Sequence, residues 1–311
     1  MTTTSGATLA RDALDGVSCP LVTPFVDGGV DADALAGLVE RVVDAGVTAL
    51  VPAGTTGEFA SLTDEEYRLL LRTTTETAPA DVPVVAGTAA TSVPGTLDRV
   101  ETAAAAGADA ALVTLPYFHT ANDPAGNERF LRAVAEASAL PLYLYNIPSC
   151  TGAVLSPETA AAVAEHDAVH GVKDSGGDFN YFSELLRLVP DGVRCLQGFD
   201  SLLVPGTLAG GHGGICALTN VVPEAHVAAV DAVRAGELER ARRIHREAIA
   251  PLFQRCVEHG FAPGTKAALA ARGWLPEGST GVRAPLVDLD DGAAAEVAGL
   301  VDEVVAAHAN A

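Results

Sequence analysis

The sequence contains few basic residues, and lysine is almost missing. The 311 residues include 19 Lys and Arg against 40 Asp and Glu, a formal net charge of −21, and lysine occurs only at Lys173 and Lys266. A surface of this sign repels nucleic acid and anionic membranes, so we expect neither as a partner. Such a composition is typical of proteins from salt-rich cytoplasms, where ionic strength screens the self-repulsion. A generic acidic protein is the alternative.

Long apolar runs and metal-type cysteine spacings are also missing. No stretch approaches the roughly 18 uncharged apolar residues of a membrane span, and the first residues show no basic segment followed by an apolar core. We therefore expect a soluble, cytoplasmic protein. The five cysteines are odd in number and show no CxxC spacing, which argues against a disulfide framework and against a zinc site. The histidines near predicted strand ends have no ligand spacing with one another, and we expect no metal.

A repeating unit fills most of the chain. From residue 17 onward, eight short β-rich runs alternate with amphipathic stretches, and no linker interrupts the series. This alternation predicts an α/β fold of the (β/α)8 TIM-barrel type, since the GxGxxG of a doubly wound nucleotide-binding sheet is absent. We assign residues 1–222 to the barrel core. Residues 223–311 are helical by period, and we expect them to form the last barrel helix and a C-terminal helical extension.

Several helix starts are visible in the sequence. Asp31 precedes an apolar stripe with helical spacing, and Thr63 with Glu66 has the spacing of a capping box. Two further helices are expected to begin near Pro94 and Pro124, because proline is well tolerated in the first turn of a helix.

One of the two lysines lies inside an apolar run, AVHGVKDS, at residues 168–175. In a strand, Gly171, Lys173 and Ser175 would share one face, while Asp174 would take the other. A lysine held among apolar side chains favours its neutral amine, which attacks a ketone. The alternative is a lysine at a strand end whose ammonium group reaches water.

Polar residues occupy the ends of other predicted strands, where the chemistry of such barrels takes place. Tyr145 follows a buried run, and its phenol could move a proton to or from a substrate hydroxyl. Thr55 and Thr56 lie between glycines and offer N–H and hydroxyl groups to a carboxylate. Each has a structural alternative, a core tyrosine and a simple turn, but their joint placement with Lys173 favours carbonyl chemistry.

The motifs together resemble one family, the pyruvate-dependent class I aldolases of the dihydrodipicolinate synthase and N-acetylneuraminate lyase type. The resemblance covers nearly the whole chain, and its motifs are specific in this order and spacing. They are TPF at 23–25, GTTGE at 54–58, YNIP with TG at 145–152, GVKD at 171–174, GFD at 198–200, GGI at 213–215 and VRAPL at 282–286.

The resemblance implies a role for each matching residue. Lys173 would form the imine with a small keto acid, Tyr145 would relay the proton, and Thr55 would support Tyr145. The implied substrate-binding residues are Thr56, Gly57, Tyr117, Gly198, Asp200, Ser201 and Ile215. The family also implies a homotetramer, and no cofactor other than the covalent imine on Lys173.

Two departures from the family pattern narrow the expected reaction. The synthases carry arginine where this chain has Cys150, and a second tyrosine where it has Phe118. A thiol cannot supply the bidentate fork that arginine offers a carboxylate. We therefore predict an aldolase closest to the haloarchaeal 2-keto-3-deoxygluconate type. It would cleave that acid or its 6-phosphate to pyruvate and glyceraldehyde or glyceraldehyde 3-phosphate.

Other functions remain open alternatives. The first is 4-hydroxy-tetrahydrodipicolinate synthase, which condenses pyruvate with aspartate semialdehyde. A 4-hydroxy-2-oxoglutarate aldolase or a 2-keto-3-deoxyarabinonate dehydratase would use the same imine chemistry. A non-catalytic regulator that binds a keto acid is the alternative from another class.

Overall fold

Eight parallel strands form the centre of the computed structural model, which describes residues 9, 11–121 and 123–309. The strands of the barrel are β1 Gly16–Cys19, β4 Ala49–Leu50, β5 Val85–Gly87, β6 Ala110–Thr114, β7 Leu142–Asn146, β8 Val169–Asp174, β9 Arg194–Gln197 and β10 Gly213–Ile215. The remaining two strands, β2 Phe25–Val26 and β3 Gly29–Val30, form a small antiparallel hairpin.

The strands pair in the order β4-β1-β10-β9-β8-β7-β6-β5. A single parallel bridge between Leu50 and Val84 joins the two ends of this sheet, so the barrel is nearly closed. The predicted (β/α)8 barrel is therefore confirmed. The predicted β-rich runs are longer than the strands, because each run continues into the loop at the mouth, where proline, glycine and polar residues end the pairing.

Helices surround the barrel. In the described part of the chain they are α1 Ala32–Asp44, α2 Asp64–Thr77, α3 Val93–Ala105, α4 Pro124–Ala137, α5 Pro148–Thr151, α6 Pro157–Ala164, α7 Phe179–Leu188, α8 Leu203–Leu208, α9 Pro223–Arg234, α10 Leu238–Ile244, α11 Ala250–His259, α12 Phe261–Ala271 and α13 Asp291–Ala309. Helix α9 follows β10 as the last barrel helix, and helices α10 to α13 form the C-terminal helical extension that the sequence predicts. The predicted division of the chain at residue 222 falls just before α9 and stays a prediction. None of the described helices is both long and apolar enough to cross a membrane.

The helix starts follow the signals in the sequence. The Asp31 side chain accepts a hydrogen bond from the Ala34 N–H, and both halves of the Thr63–Glu66 capping box are present. Helices α3 and α4 carry proline in the first turn, as predicted. The short helices α5 and α8 and the β2–β3 hairpin were not predicted, since each has too few residues to show a period.

The interior of the barrel is filled by side chains from alternate strand positions. They form one cluster of buried residues: Leu14, Ala49, Val51, Val85, Ala110, Leu112, Tyr143, Tyr145, Ile147, Leu196 and Ile215. Tyr143, Tyr145 and Ile147 therefore share one face of their strand, as the alternation of side chains predicts. The interior is a packed core with the chemistry confined to one end.

A buried ion pair ties the C-terminal extension to a loop after β4. The Lys266 ammonium group, on α12, donates to Glu58 Oε1 at 2.6 Å and to the Gly281 carbonyl at 2.7 Å. The Arg283 N–H donates to the other oxygen, Glu58 Oε2, at 2.9 Å. Burial lowers the pKa of Lys266, while its bond to Glu58 acts in the opposite direction.

A second, more exposed pair reinforces the same junction. The Arg283 guanidinium group donates to both oxygens of Glu66 and to the carbonyls of Ser61 and Gly28. The Arg283 hydrogen bond to Glu66 lowers the pKa of that carboxyl to about 2. The segment of residues 279–286 is therefore held against α2 and the loop after β4.

Removing the ammonium group of Lys266 should be strongly destabilising. Lys266→Met leaves the Glu58 carboxylate buried without a counter-charge, and we expect a loss of about 3–5 kcal/mol in the free energy of unfolding. Urea denaturation measures it. The exposed pair Arg187–Glu184 is the control, and Arg187→Gln should leave the urea midpoint close to that of the parent protein. The double variant Lys266→Met/Glu58→Gln should recover part of the loss, and a purely additive double variant would contradict the coupling.

Candidate active site

Lys173 lies in the barrel interior near the carboxyl end of β8. It pairs in parallel register with Tyr145 on β7, so both side chains point to the same face of the sheet. The ammonium nitrogen lies 4.2 Å from the centre of the Tyr145 ring, and only 5% of Lys173 is exposed. The structure therefore places the two predicted catalytic groups in contact.

The phenol of Tyr145 has a hydrogen-bond partner other than the expected one. Ser175 Oγ donates to Tyr145 Oη at 3.3 Å. No described hydrogen bond joins Tyr145 to Thr55, whose half-buried side chain lines the mouth of the barrel. The supporting role of Thr55 stays a prediction, whereas the bond from Ser175 was not predicted.

Gly198 creates the space that Lys173 and Ser175 occupy. A methyl group added to Gly198 would lie 1.9 Å from Ser175 Oγ and 2.8 Å from Lys173 Cε. The Gly198 N–H donates to the Asp174 carbonyl at 2.7 Å, which holds β9 against the end of β8. A side chain at this position would displace the amine, so Gly198 lies at the site for a steric reason.

The GTTGE loop, which follows β4, offers unused N–H groups. Thr23 Oγ1 donates to the Gly57 carbonyl at 2.6 Å, and a side chain at Gly57 would come within 2.8 Å of the Leu21 carbonyl. In the described hydrogen bonds, the N–H groups of Thr55 and Thr56 have no acceptor. Two neighbouring free N–H groups fit the predicted carboxylate site.

Ile215, Asp200 and Ser201 lie in different surroundings. Ile215 belongs to the same buried cluster of the barrel interior as Tyr145, and Ser201 is half-buried in the 3₁₀ turn Asp200–Leu202. Asp200 is fully buried, where its Oδ1 accepts from the Leu218 N–H at 2.9 Å and lies 3.0 Å from His226 Nε2. The predicted contact of Asp200 with a substrate hydroxyl stays a prediction. These bonds give its carboxylate a structural role.

A cavity of about 250 Å³ opens at the mouth of the barrel. It is lined by Thr55, Glu58, Phe59, Ala60, Ser61, Thr114, Tyr117, Ile147, Cys150, Thr151, Pro285 and Leu286. Tyr117, a predicted substrate-binding residue, packs edge-to-face on Phe59 with ring centres 6.1 Å apart. The C-terminal residues Pro285 and Leu286 form one wall, and only their place in the VRAPL motif marked them in the sequence.

The two residues that depart from the family pattern differ in position. Cys150, on the short helix α5, lines this cavity and is exposed. Phe118 is 87% exposed, has a left-handed backbone with φ of 75°, and packs edge-on to the His119 ring. Neither residue supplies a cation or a phenol to the site.

Other polar groups near Lys173 were not predicted. Asn146 donates to Asp174 Oδ1 at 2.8 Å and so ties β7 to β8 on the outer face of the barrel. Burial raises the pKa of Asp174, against the hydrogen bonds from Asn146 and Gly176. Thr114 pairs in register with Tyr145, and its buried hydroxyl has no partner among the described residues. The alternation of side chains along a strand predicts which face of the sheet each of these residues occupies. No pattern in the sequence distinguishes them from ordinary core residues.

The described residues contain no group of three or more His, Cys, Asp or Glu side chains arranged to hold a metal ion. The cysteines are consistent with this: Cys19, Cys195, Cys216 and Cys256 are buried. Burial raises the pKa of the Cys216 thiol well above its usual value, which is typical of an inert core thiol.

Comparison with known proteins finds similarity to one family. The sequence profile of the dihydrodipicolinate synthetase family matches residues 13–304. The chain is 41% identical to a 4-hydroxy-tetrahydrodipicolinate synthase of Hyphomonas neptunium over 281 residues, 89% of this chain and 94% of that protein. It is 39% identical to an uncharacterised DapA-like lyase of Halobacterium salinarum over 280 residues, 89% of this chain and 90% of that protein.

The solved structures agree with the sequence comparison. A prophage protein of the dihydrodipicolinic acid synthase family from E. coli K12, solved with pyruvate, superposes with a TM-score of 0.87 at 30% identity, covering 94% of this chain and 98% of that chain. The activity named for the Hyphomonas relative is the synthase activity, the first of the alternatives that the sequence analysis leaves open. Similarity to a 2-keto-3-deoxygluconate aldolase in particular does not emerge from these comparisons.

Pyruvate and borohydride should label one lysine. We expect reduction in the presence of pyruvate to add mass to the peptide that contains Lys173, because an imine forms there and is trapped. Mass spectrometry of the digested protein measures this. Lys266, the other lysine, is the internal control, since its ammonium group is buried against Glu58. Labelling that persists in Lys173→Arg, or no labelling at all, would refute the assignment.

Proposed function

Because the chain belongs to the dihydrodipicolinate synthetase family, we propose that it is an aldolase for 2-keto-3-deoxygluconate or its 6-phosphate. Members of the family are pyruvate-dependent carbon–carbon lyases that react through a Schiff base on a lysine. The products would be pyruvate and glyceraldehyde, or glyceraldehyde 3-phosphate. The observation that carries the choice of substrate is Cys150 in the wall of the mouth cavity.

The proposed cleavage uses the two groups in contact in the barrel. The Lys173 amine attacks the C2 ketone and loses water to form an imine. Tyr145 gives its phenol proton to the departing water, which leaves a protonated imine and a phenolate. The phenolate then takes the proton of the C4 hydroxyl, the C3–C4 bond breaks, and its electron pair passes to the protonated imine to give an enamine while the aldehyde leaves. Protonation of the enamine at C3 and hydrolysis of the imine then return pyruvate and the free amine.

The residues that line the cavity favour an uncharged aldehyde over one that carries a carboxylate. The family's synthases carry arginine at the position of Cys150, and arginine binds a carboxylate with two parallel hydrogen bonds. The thiol of Cys150 offers no such fork, and Phe59, Ile147 and Leu286 add apolar surface to the same cavity. A polyhydroxy aldehyde loses less by entering this cavity than the carboxylate of aspartate semialdehyde does.

The synthase activity is the second candidate. It is supported by the names of the relatives, since the Hyphomonas protein and one of Exiguobacterium that is 36% identical over 83% of this chain are 4-hydroxy-tetrahydrodipicolinate synthases. An overall identity of this size shows the family and its lysine chemistry. It does not distinguish between substrates that share the pyruvyl half, because they react at the same lysine. The aldehyde side of the site therefore decides between the two candidates.

We also propose a salt-adapted, cytoplasmic homotetramer that acts in carbohydrate metabolism. The net charge of −21 and the likeness to a Halobacterium salinarum protein support the salt adaptation. Thr56 would bind the pyruvyl carboxylate with its free N–H, and Gly57, the next residue of the loop, would line the same site. Tyr117, Gly198, Asp200, Ser201 and Ile215 would line the rest of the substrate site.

A substrate panel tests the proposal. We expect kcat/KM for cleavage of 2-keto-3-deoxygluconate or its 6-phosphate to exceed kcat/KM for condensation of pyruvate with aspartate semialdehyde, because the cavity lacks the arginine of the synthases. Assays at low and high salt, with pyruvate release and ring-product absorbance as readouts, measure both. Faster condensation with aspartate semialdehyde would overturn the choice in favour of the synthase.

Restoring the missing arginine should shift the preference. Cys150→Arg adds a guanidinium group to the cavity wall, and we expect a tenfold to hundredfold rise in kcat/KM for aspartate semialdehyde, about 1.4–2.7 kcal/mol of binding. Ser149→Arg is the matched control, because Ser149 is the exposed neighbour and does not line the cavity. An equal rise in both variants would mean that general surface charge, not the position of the arginine, causes the effect.

A further inference from the structure

The hydroxyl of Ser175 is the only group among the described residues that forms a hydrogen bond with the phenol of Tyr145. We propose that Ser175 is a positioning residue for this phenol and that it supports the phenolate form during the reaction. This inference rests on the proposed function in one respect, the transfer of a proton by Tyr145. It does not depend on which aldehyde the enzyme uses.

The backbone fixes Ser175 beside Tyr145. The Ser175 N–H donates to the carbonyl of Asn146, the residue after Tyr145, at 2.8 Å. On the other side of Ser175, the Gly176 N–H donates to Asp174 Oδ1 at 2.9 Å, so the residues on both sides of Ser175 are held by hydrogen bonds. Ser175 therefore continues the β8 face that carries Lys173, one step closer to the mouth.

The space for the hydroxyl comes from Gly198. A side chain at that position would lie 1.9 Å from Ser175 Oγ, so its absence leaves room for the hydroxyl. Ser175 is buried, and a hydrogen bond shielded from water is stronger than an exposed one. Its length of 3.3 Å is long for two hydroxyls, but catalytic hydrogen bonds often tighten only when substrate is bound.

The candidates that the family pattern offers for this role do not reach the phenol. Thr55 is half-buried at the mouth and has no described hydrogen bond to Tyr145, and Phe118 has no hydroxyl. When Tyr145 accepts a hydrogen bond from Ser175, the oxygen that gains negative charge as a phenolate is stabilised. The hydroxyl of Ser175 thus supplies the hydrogen bond to the phenol that the family resemblance assigns to Thr55.

Removing the hydroxyl should lower kcat and leave pyruvate binding intact. We expect Ser175→Ala to reduce kcat tenfold to a hundredfold, the range for a hydrogen bond to a charged group. KM for the keto acid and the yield of borohydride-trapped imine on Lys173 should stay within twofold.

A double-mutant cycle separates this role from a structural one. If Ser175 acts through the phenol, Ser175→Ala should have no further effect in a Tyr145→Phe background. Residual turnover is followed with whichever substrate of the panel gives the highest kcat/KM, so rejection of 2-keto-3-deoxygluconate would not affect the test. A further fall in kcat in the double variant, or a KM for the keto acid that changes as much as kcat in Ser175→Ala, would overturn the proposal.

Two more variants test whether a loss of activity comes from a loss of folding. Ser175→Thr keeps the hydroxyl and should recover kcat to within about fivefold of the parent, a smaller loss than a missing hydrogen bond causes. Ser183→Ala is the matched control, because Ser183 is exposed on α7 and donates only to the Phe179 carbonyl. Unfolding midpoints of all variants are compared, and equal loss of activity in Ser175→Thr and Ser175→Ala at unchanged stability would also contradict the proposal.

Discussion

The mouth of the barrel depends on one buried ion pair, between Lys266 and Glu58. Both side chains are almost fully removed from water, which costs several kcal/mol for each ion unless other groups complete their hydrogen bonds. The Gly281 carbonyl and the Arg283 N–H do so, and both belong to the segment between α12 and α13. The pair therefore fixes the GTTGE loop and the C-terminal segment together, and both contribute residues to the cavity wall.

The reacting groups depend on a different constraint, the register of β7 and β8. Parallel pairing sets Tyr145 beside Lys173, and the Asn146–Asp174 hydrogen bond holds the same two strands on the outer face. Gly198, directly after β9, leaves space for the Lys173 side chain because it has no side chain of its own. The position of the amine and the phenol is thus a property of the rigid sheet, while the aldehyde side of the cavity is built from loops. This division explains how one family conserves imine chemistry and varies the aldehyde.

The family relationship and the local residues bear on different halves of the reaction. Relatives at 36–41% identity share the lysine chemistry of the pyruvate half, and their names carry the synthase activity. Cys150 and Phe118 concern the other half, where this chain lacks the groups that a synthase uses. Our preference for a sugar-acid substrate rests on the cavity wall, where a single guanidinium group would decide whether a carboxylate is bound.

The sequence alone determined the barrel, the helix starts and the placement of Lys173 and Tyr145 near the ends of strands, because these depend on local periodicity. Asp31 and the Thr63–Glu66 capping box show it, since each acts within one turn of helix. Only the tertiary structure decided that Ser175, and not Thr55, bonds to the phenol, and that Pro285 and Leu286 line the mouth. These contacts join residues far apart in the chain or depend on a rotamer and on an absent side chain at Gly198. Such relations come from packing, which no period in the sequence records.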